Sequence, residues 1–233
     1  MRYYNDLTYK EATMIIRELQ IFEQNLYKEM PALQNIIHDN CFIAGGSIAS
    51  LLQNEPPKDF DIFFKSEEAV KTFMAAVDVY PNCIGVTKYS CTFYLNFGPK
   101  TLVQFIHFKA GNPDEITNAF DFNHTMNYYD FKTQQLVIKF SSPIKNKDLV
   151  INMQIERPIS ALMRMTKFLR RGYKIDNLNL SQLIIKVLSL DLSNPIDFNT
   201  QLKDLYGFKL KDVSAIDILT AKKPLNELEW WMR

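Results

Sequence analysis

Glycine is scarce in this chain, with seven in 233 residues, so few flexible linkers are expected. Cysteine is scarcer still. Cys41, Cys83 and Cys91 fit neither a C-x-x-C metal site nor a disulfide framework. They read as reduced, buried thiols, which points to a reducing compartment. No apolar run approaches the ~20 residues of a membrane span, so no membrane partner is expected. The first residues, Met1 to Asp6, lack the apolar core of a secretory signal. The expected location is the cytoplasm, the host's if the chain is viral. Excess charge is missing too. With a net charge of +1 there is no global basic field, and any nucleic-acid surface must be local. Internal repeats and low-complexity tracts are absent from the sequence.

What remains is an apolar, aromatic-rich chain long enough for one large domain or two small ones. Its 47% hydrophobic and 23% charged residues are those of a soluble globular protein, and 17 phenylalanines promise an aromatic core. Thr8 to about Met30 predicts an amphipathic helix, with a capping box from Thr8 and Glu11 and apolar positions at Ile15, Leu19, Phe22 and Leu26. A second short helix follows Pro31. Strands are expected at 42–44 and 60–64, with a helix between them that opens at a glycine turn. A helix from Ser66 to about Val77 comes next, Ser66 serving as cap. Residues 91–97 and 101–108 read as a hairpin about the Gly98-Pro99-Lys100 turn. A short helix is expected at 114–118 and a strand at 134–140. Beyond Pro143 helical patterns dominate, including an apolar helix through Leu180, Leu183, Ile184, Val187 and Leu188 that reads as core. Trp230 and Trp231 read as a cap on that core. The expected division is 1–145, a mixed-sheet α+β head with N-terminal helices, and 146–233, a helical region.

Two short motifs carry the chemistry. Gly45-Gly46-Ser47 follows a buried strand, and Asp59-Phe60-Asp61 opens the next one, 12 positions after Ser47. Residues two apart on a strand share a face and lie roughly 6.6 Å apart along it. Asp59 and Asp61 therefore project together while Phe60 points into the core. Two such carboxylates can share a pair of Mg²⁺ ions that also hold substrate phosphates. Gly45 and Gly46 lack a Cβ and let backbone approach phosphate oxygens closely. Ser47 opens a helix whose free N–H groups favour an anion, and adds a hydroxyl. Either motif alone is commonplace; their order on alternating elements points to nucleotidyl transfer.

Here the chain resembles the DNA polymerase β-like nucleotidyltransferase superfamily. Residues 42–52 and Pro56-Pro57-Lys58-Asp59-Phe60-Asp61-Ile62 are most similar to the head of bacterial poly(A) polymerases and class II CCA-adding enzymes. Asp121-Phe122 and Tyr128-Tyr129-Asp130 keep the spacing of a second family segment. Pro158 to Arg164, Lys167-Phe168 and Gly172-Tyr173 are similar to the family's neck helix. The resemblance covers roughly residues 40–175. It implies a nucleotidyltransferase head followed by a helical neck. It also implies Asp59 and Asp61 as ligands of two Mg²⁺ ions, with Gly45, Gly46, Ser47 and Lys58 at the triphosphate of an NTP. Asp121 would lie near the ribose or the acceptor end, and the acceptor would be an RNA 3′ end.

The chain also departs from the family. Ala49-Ser50 stands where the first motif ends in Arg-Asp, and Ala119-Phe120 replaces paired arginines. On the strand that would carry a third carboxylate stands Gln104, leaving Asp121 or Asp130 as substitutes. These losses motivate a second reading, a degenerate relative that binds nucleotide or RNA without chemistry, as inhibitor or decoy; the resemblance also implies a third, transfer onto a protein or small molecule. Residues 151–190 hold seven Lys or Arg against two acids. Arg164, Lys167, Arg171 and Lys174 recur at helical spacing and predict a face that binds RNA or phosphate. Ile159, Leu162, Met163 and Phe168 are expected on the apolar side.

Overall fold

Apolar alternation between residues 41 and 64 builds the centre of a seven-stranded mixed sheet, in a computed structural model that describes residues 7–77, 80–96, 101–191 and 200–201. The chain divides into two compact units, Met1–Asn146 and Lys147–Arg233.

In the first unit α1 spans Tyr9–Glu29. Thr8 caps it reciprocally: the Glu11 N–H donates to Thr8 Oγ1 at 3.2 Å, and the Thr8 N–H donates to the Glu11 carboxylate at 2.7 Å. Lys145 pairs with Glu11 at 2.9 Å, and with the Thr8 bonds holds the carboxyl down at about 2. A 3-10 turn at Pro31–Leu33 leads into α2, Gln34–Asn40. Then follow β1 (Cys41–Ala44), α3 (Gly46–Leu52), β2 (Asp59–Phe64), α4 (Glu67–Val77), β3 (Cys83–Val86), β4 (Ser90–Leu95), β5 (Thr101–Ile106) and α5 (Pro113–Asn118). A 3-10 turn at Asn123–Thr125, β6 (Tyr128–Asp130), β7 (Gln135–Val137) and α6 (Ser142–Asn146) complete the unit.

The strand order is β3-β4-β5-β2-β1-β6-β7. Within the described sheet the β2–β5 pairing is parallel and the other five are antiparallel. Even-numbered residues of β2 face the main core. Phe60 stacks on Phe22 of α1 with ring centroids 3.8 Å apart. Phe64, Phe73, Phe93 and Phe105 form one ring cluster between α4 and the sheet. That cluster takes four of the 17 phenylalanines. The opposite face is covered at one end, where Phe42, Ala44 and Phe63 pack with Ile116 of α5.

Among the described residues one carboxylate is buried in the core. Glu23 accepts hydrogen bonds from the phenols of Tyr27 (2.6 Å) and Tyr129 (3.1 Å), with His38 at 3.6 Å. Burial first, then Glu23 itself, pushes both phenols well above their ordinary titration range.

Several local expectations are corrected. The strand expected over 134–140 is confined to Gln135–Val137. Beyond it the Asn127 side chain accepts the N–H groups of Lys139 (2.8 Å) and Phe140 (3.2 Å), which takes them out of the ladder. Strands β3 and β6 and helix α6 carry too few alternating residues to read from sequence. The turn at 98–100 and the tryptophan pair 230–231 lie outside the described residues.

In the second unit α7 spans Pro158–Leu169 and packs against α8, Asn177–Leu188. The apolar helix expected as core buries only Leu183; Ile184 and Leu188 are 45% and 77% exposed. A helix buries only the stripe that meets a neighbour. The four cations expected on one helix face are also separated. Helix α7 ends at Leu169, and Gly172 takes φ +84°, so Arg171 and Lys174 lie past its end. Arg164 and Lys167 alone of the four lie within the helix. Lys174 instead joins backbone hydrogen bonds with Lys147 and Leu149, each 2.7 Å. The apolar stripe also differs from the expected one: Pro158, Ser160, Ala161 and Met165 are the buried residues of α7, and Ile159, Leu162, Met163 and Phe168 are half-buried.

Candidate functional site

Register places the two motifs side by side. Ala44, the last residue of β1, pairs with Asp61 on β2. Gly45 follows Ala44 directly, so the glycine turn begins beside that carboxylate. Gly45 has φ +93° and ψ −146°, a conformation that only glycine holds without strain. A Cβ on Gly45 would stand 3.3 Å from Asp61 Oδ2. The Gly45 N–H donates to the Thr125 carbonyl at 3.2 Å, which clasps the turn to the 3-10 segment. Gly46 begins α3, and a Cβ there would meet nothing within 4 Å. The turn therefore opens onto free space beside a carboxylate.

Ser47 is 2% exposed, and its Oγ has no hydrogen-bond partner among the described residues. A buried hydroxyl left unpaired costs about 1–3 kcal/mol, so Ser47 keeps an unused donor beside the turn. The first-turn N–H groups of α3 have no partners within the helix. Together they make a donor set suited to phosphate oxygens.

Asp59 and Asp61 are both half-buried, on the face opposite the buried Phe60. Lys58, just before them, is exposed. Across the parallel pairing Asp59 faces Leu102 and Asp61 faces Gln104. The Gln104 amide donates to Thr92 Oγ1 at 3.4 Å, so a neutral pair adjoins the carboxylates. Asp121 is half-buried just ahead of the segment that clasps Gly45. Asp130 is committed elsewhere: it pairs with Lys65 at 2.7 Å and accepts the Thr133 N–H at 3.0 Å. His124 is buried in the 3-10 turn. Among the described residues no three His, Cys, Asp or Glu side chains gather into a metal cage. Two carboxylates beside an open glycine turn are a donor set that fits Mg²⁺, which completes its shell with phosphate oxygens and water.

The departures in sequence have structural consequences. Ala49 is packed into the core. Phe120 lies against Phe63 with ring centroids 5.5 Å apart. Both positions are apolar packing sites here. Arg164, Lys167, Arg171 and Lys174 all belong to the second unit, where Arg171 lies 5.9 Å from the Phe168 ring centroid. Sequence reading missed the Thr125 clasp and the Gln104–Thr92 pair. The first leaves no sequence signal, because it uses a carbonyl. The second was readable from alternation in β4 and β5 once their pairing was assumed.

The sequence model of the Gabija anti-defense 2 family matches residues 15–143, more than half of the chain, and the chain belongs to that family. Gabija anti-defense 2 of Bacillus phage SPbetaL7 is 27% identical over 192 residues, covering 80% of this chain and 48% of the relative. The chain thus spans about half the length of the curated relative it matches. A CCA-adding enzyme in complex with ATP superposes with a TM-score of 0.56 at 14% identity, over 95% of this chain and 52% of that one. The Thermotoga maritima CCA-adding enzyme complexed with tRNA gives 0.52 at 13% identity, over 74% of this chain and 43% of its own. The fold is accordingly nucleotidyltransferase-like α+β.

Proposed function

We propose that this member of the Gabija anti-defense 2 family counters Gabija defence through a nucleotidyltransferase site, moving an NMP from an NTP to a hydroxyl acceptor at an RNA 3′ end. One observation carries the reading: the glycine turn and the Asp61 carboxylate are so close that a Cβ on Gly45 would stand 3.3 Å from Oδ2. The unpaired Ser47 hydroxyl in the same turn adds support.

The residues divide the work. Gly45 spends its N–H on Thr125 and holds the turn's shape. Gly46 leaves room for phosphate, while Ser47 and the first-turn N–H groups of α3 donate to it. Asp59 and Asp61 would hold two Mg²⁺ ions, which when bound supply charge neutralisation and Lewis acidity to the triphosphate. Lys58 adds a cation at the head of β2, and Asp121 attends the ribose or the acceptor end. In the balanced reaction the acceptor oxygen bonds to the α-phosphorus, the bond from that phosphorus to the β-phosphate bridge breaks, and pyrophosphate leaves. The hydroxyl proton passes to solvent. Most of the catalytic effect in such chemistry is positioning and charge stabilisation. Arg164, Lys167, Arg171 and Lys174 are proposed as phosphate contacts of the RNA within the second unit.

A second reading has its own observation. Gln104, not an acid, faces Asp61, and Ala49 and Phe120 are packing residues. These favour nucleotide binding without transfer, the protein acting as decoy or inhibitor. Incubation with Mg²⁺, α-labelled NTPs and an extract of RNA and protein from Gabija-bearing cells separates the readings. Label in RNA is the expected result. Label in protein alone moves the acceptor to a side chain, and NTP binding with no incorporation refutes transfer.

A further inference from the structure

The outer half of the sheet carries a surface that the nucleotide site does not use. On the face of Asp59 and Asp61, register extends two cross-strand rows outward. Asp59 leads to Leu102 and then Tyr94; Asp61 leads to Gln104 and then Thr92. Adjacent strands lie about 4.8 Å apart, so Tyr94 sits roughly 10 Å from the β2 carboxylates. Tyr94 is 42% exposed, and Ile84 on the edge strand β3 is 52% exposed. Helices α1 to α4 join the core cluster on the other face, and α5 packs at the Phe42–Phe63 end.

The segment that builds this half contributes charge of one sign, although Glu29 of α1 accepts from Asn82 at 3.2 Å at its border. Between Asp78 and Asp114 the sequence has no acid, although 26 of the 233 residues are Asp or Glu. Lys88 and Lys109 are exposed there, Lys88 over the Tyr89 ring at 4.8 Å, and Phe108 is 50% exposed beside Tyr89. With the Asp59 and Asp61 carboxylates neutralised by Mg²⁺, a face to which this segment brings cations and partly exposed aromatic rings is complementary to a polyanion that carries bases.

We infer that the β3-β4-β5 face seats the acceptor as single-stranded RNA, with a base on Tyr94 and its ribose over the Gln104–Thr92 pair. This rests on the nucleotide site proposed above, because the strip ends at its carboxylates. Gln104 donates to Thr92 Oγ1, so the Thr92 hydroxyl proton and the Gln104 carbonyl oxygen are directed to other partners. That pair can both donate to and accept from a ribose 2′-hydroxyl, the group that separates RNA from DNA.

Fluorescence anisotropy with a fluorescein-labelled 12-nucleotide RNA of mixed sequence, in Mg²⁺ at low salt, tests this on the full chain. Wild type binds the RNA. Tyr94→Ala weakens binding roughly 5- to 150-fold, the range for loss of one stacked base. Tyr94→Phe stays within about twofold, since the aromatic face is kept. Tyr9→Ala, on exposed α1 surface, changes nothing. The DNA of the same sequence binds more weakly. Wild-type indifference to RNA, unchanged binding by Tyr94→Ala, or equal affinity for DNA overturns the assignment. Binding of Mg-ATP by wild type, measured alongside, keeps the two ideas apart. ATP bound without RNA defeats only the acceptor surface; absence of ATP binding defeats the nucleotide site.

Discussion

Substituting the two adjacent glycines one at a time should weaken ATP binding in both cases but destabilise the fold in only one. At Gly45 the backbone sits at φ +93°, ψ −146°, and the new Cβ would stand 3.3 Å from Asp61 Oδ2. Side chains in that region of backbone space cost about 1–3 kcal/mol. For a chain of this size each kcal/mol is worth roughly 2–4 °C in melting temperature, so Gly45→Ala should melt roughly 2–12 °C lower. The Asp61 carboxylate must also give by a few tenths of an ångström, so Mg-dependent ATP affinity falls as well. At Gly46 the backbone is helical and the Cβ meets nothing within 4 Å. Gly46→Ala should melt at or slightly above wild type, because alanine is favoured in a helix by about 0.5–1 kcal/mol. Its methyl group, however, enters the space assigned to phosphate, so ATP affinity falls without loss of stability. Differential scanning calorimetry and isothermal titration read the two effects separately. A Gly45→Ala variant that melts like wild type, or a Gly46→Ala variant that binds ATP normally, refutes the reasoning.

Four further outcomes follow from the packing. Thr8→Ala should cost about 1 kcal/mol by removing the α1 cap, read by urea unfolding. The Glu11 carboxyl lies at about 2 in the folded chain against 4.5 for the free group, so its contribution is complete above the higher value and lost as pH falls through the lower. Glu11→Gln should therefore flatten stability over that acid window, and an unchanged acid limb contradicts the ion pair with Lys145. Tyr129→Phe removes a bond to the buried Glu23 and should cost about 1.5–3 kcal/mol in the same urea assay, whereas a neutral result would mean Glu23 is satisfied without it. In the second unit Leu183→Ala should cost about 2–5 kcal/mol and Leu188→Ala under about 0.5, because only the former is buried; equal effects in thermal melts would restore the full apolar stripe as core.

The first unit was legible where a local rule coincides with a tertiary need. Thr8 and Glu11 announced α1, and the run from Cys41 to Phe64 announced β1, the turn and β2 with the two carboxylates on one face. Its weakest elements were illegible for physical reasons. Strands β3 and β6 are three or four residues long and held by their neighbours' hydrogen bonds. Their own composition contributes little. The 134–140 segment read as strand because a sequence does not reveal that Asn127, a residue on another segment, takes two of its N–H groups. In the second unit helical spacing was a poor guide. Arg171 and Lys174 keep the period of Arg164 and Lys167, yet Gly172 turns the chain left-handed between them. The apolar stripe on α8 had the right period, but a period does not say whether a partner covers it. At the site, the residue types and their order were readable; the closeness of Gly45 to Asp61 was not, because it depends on the register of β1 against β2.

The most direct measurement is isothermal titration of ATP into wild type and into the Asp59→Asn, Asp61→Asn double variant, with and without Mg²⁺. Asparagine keeps the shape of both side chains and removes their charge. Wild type should bind one ATP per chain only when Mg²⁺ is present, and the double variant should lose that binding while melting at an unchanged temperature. Equal binding by the two proteins, or binding that ignores Mg²⁺, would contradict a nucleotide site built from this carboxylate pair and its glycine turn.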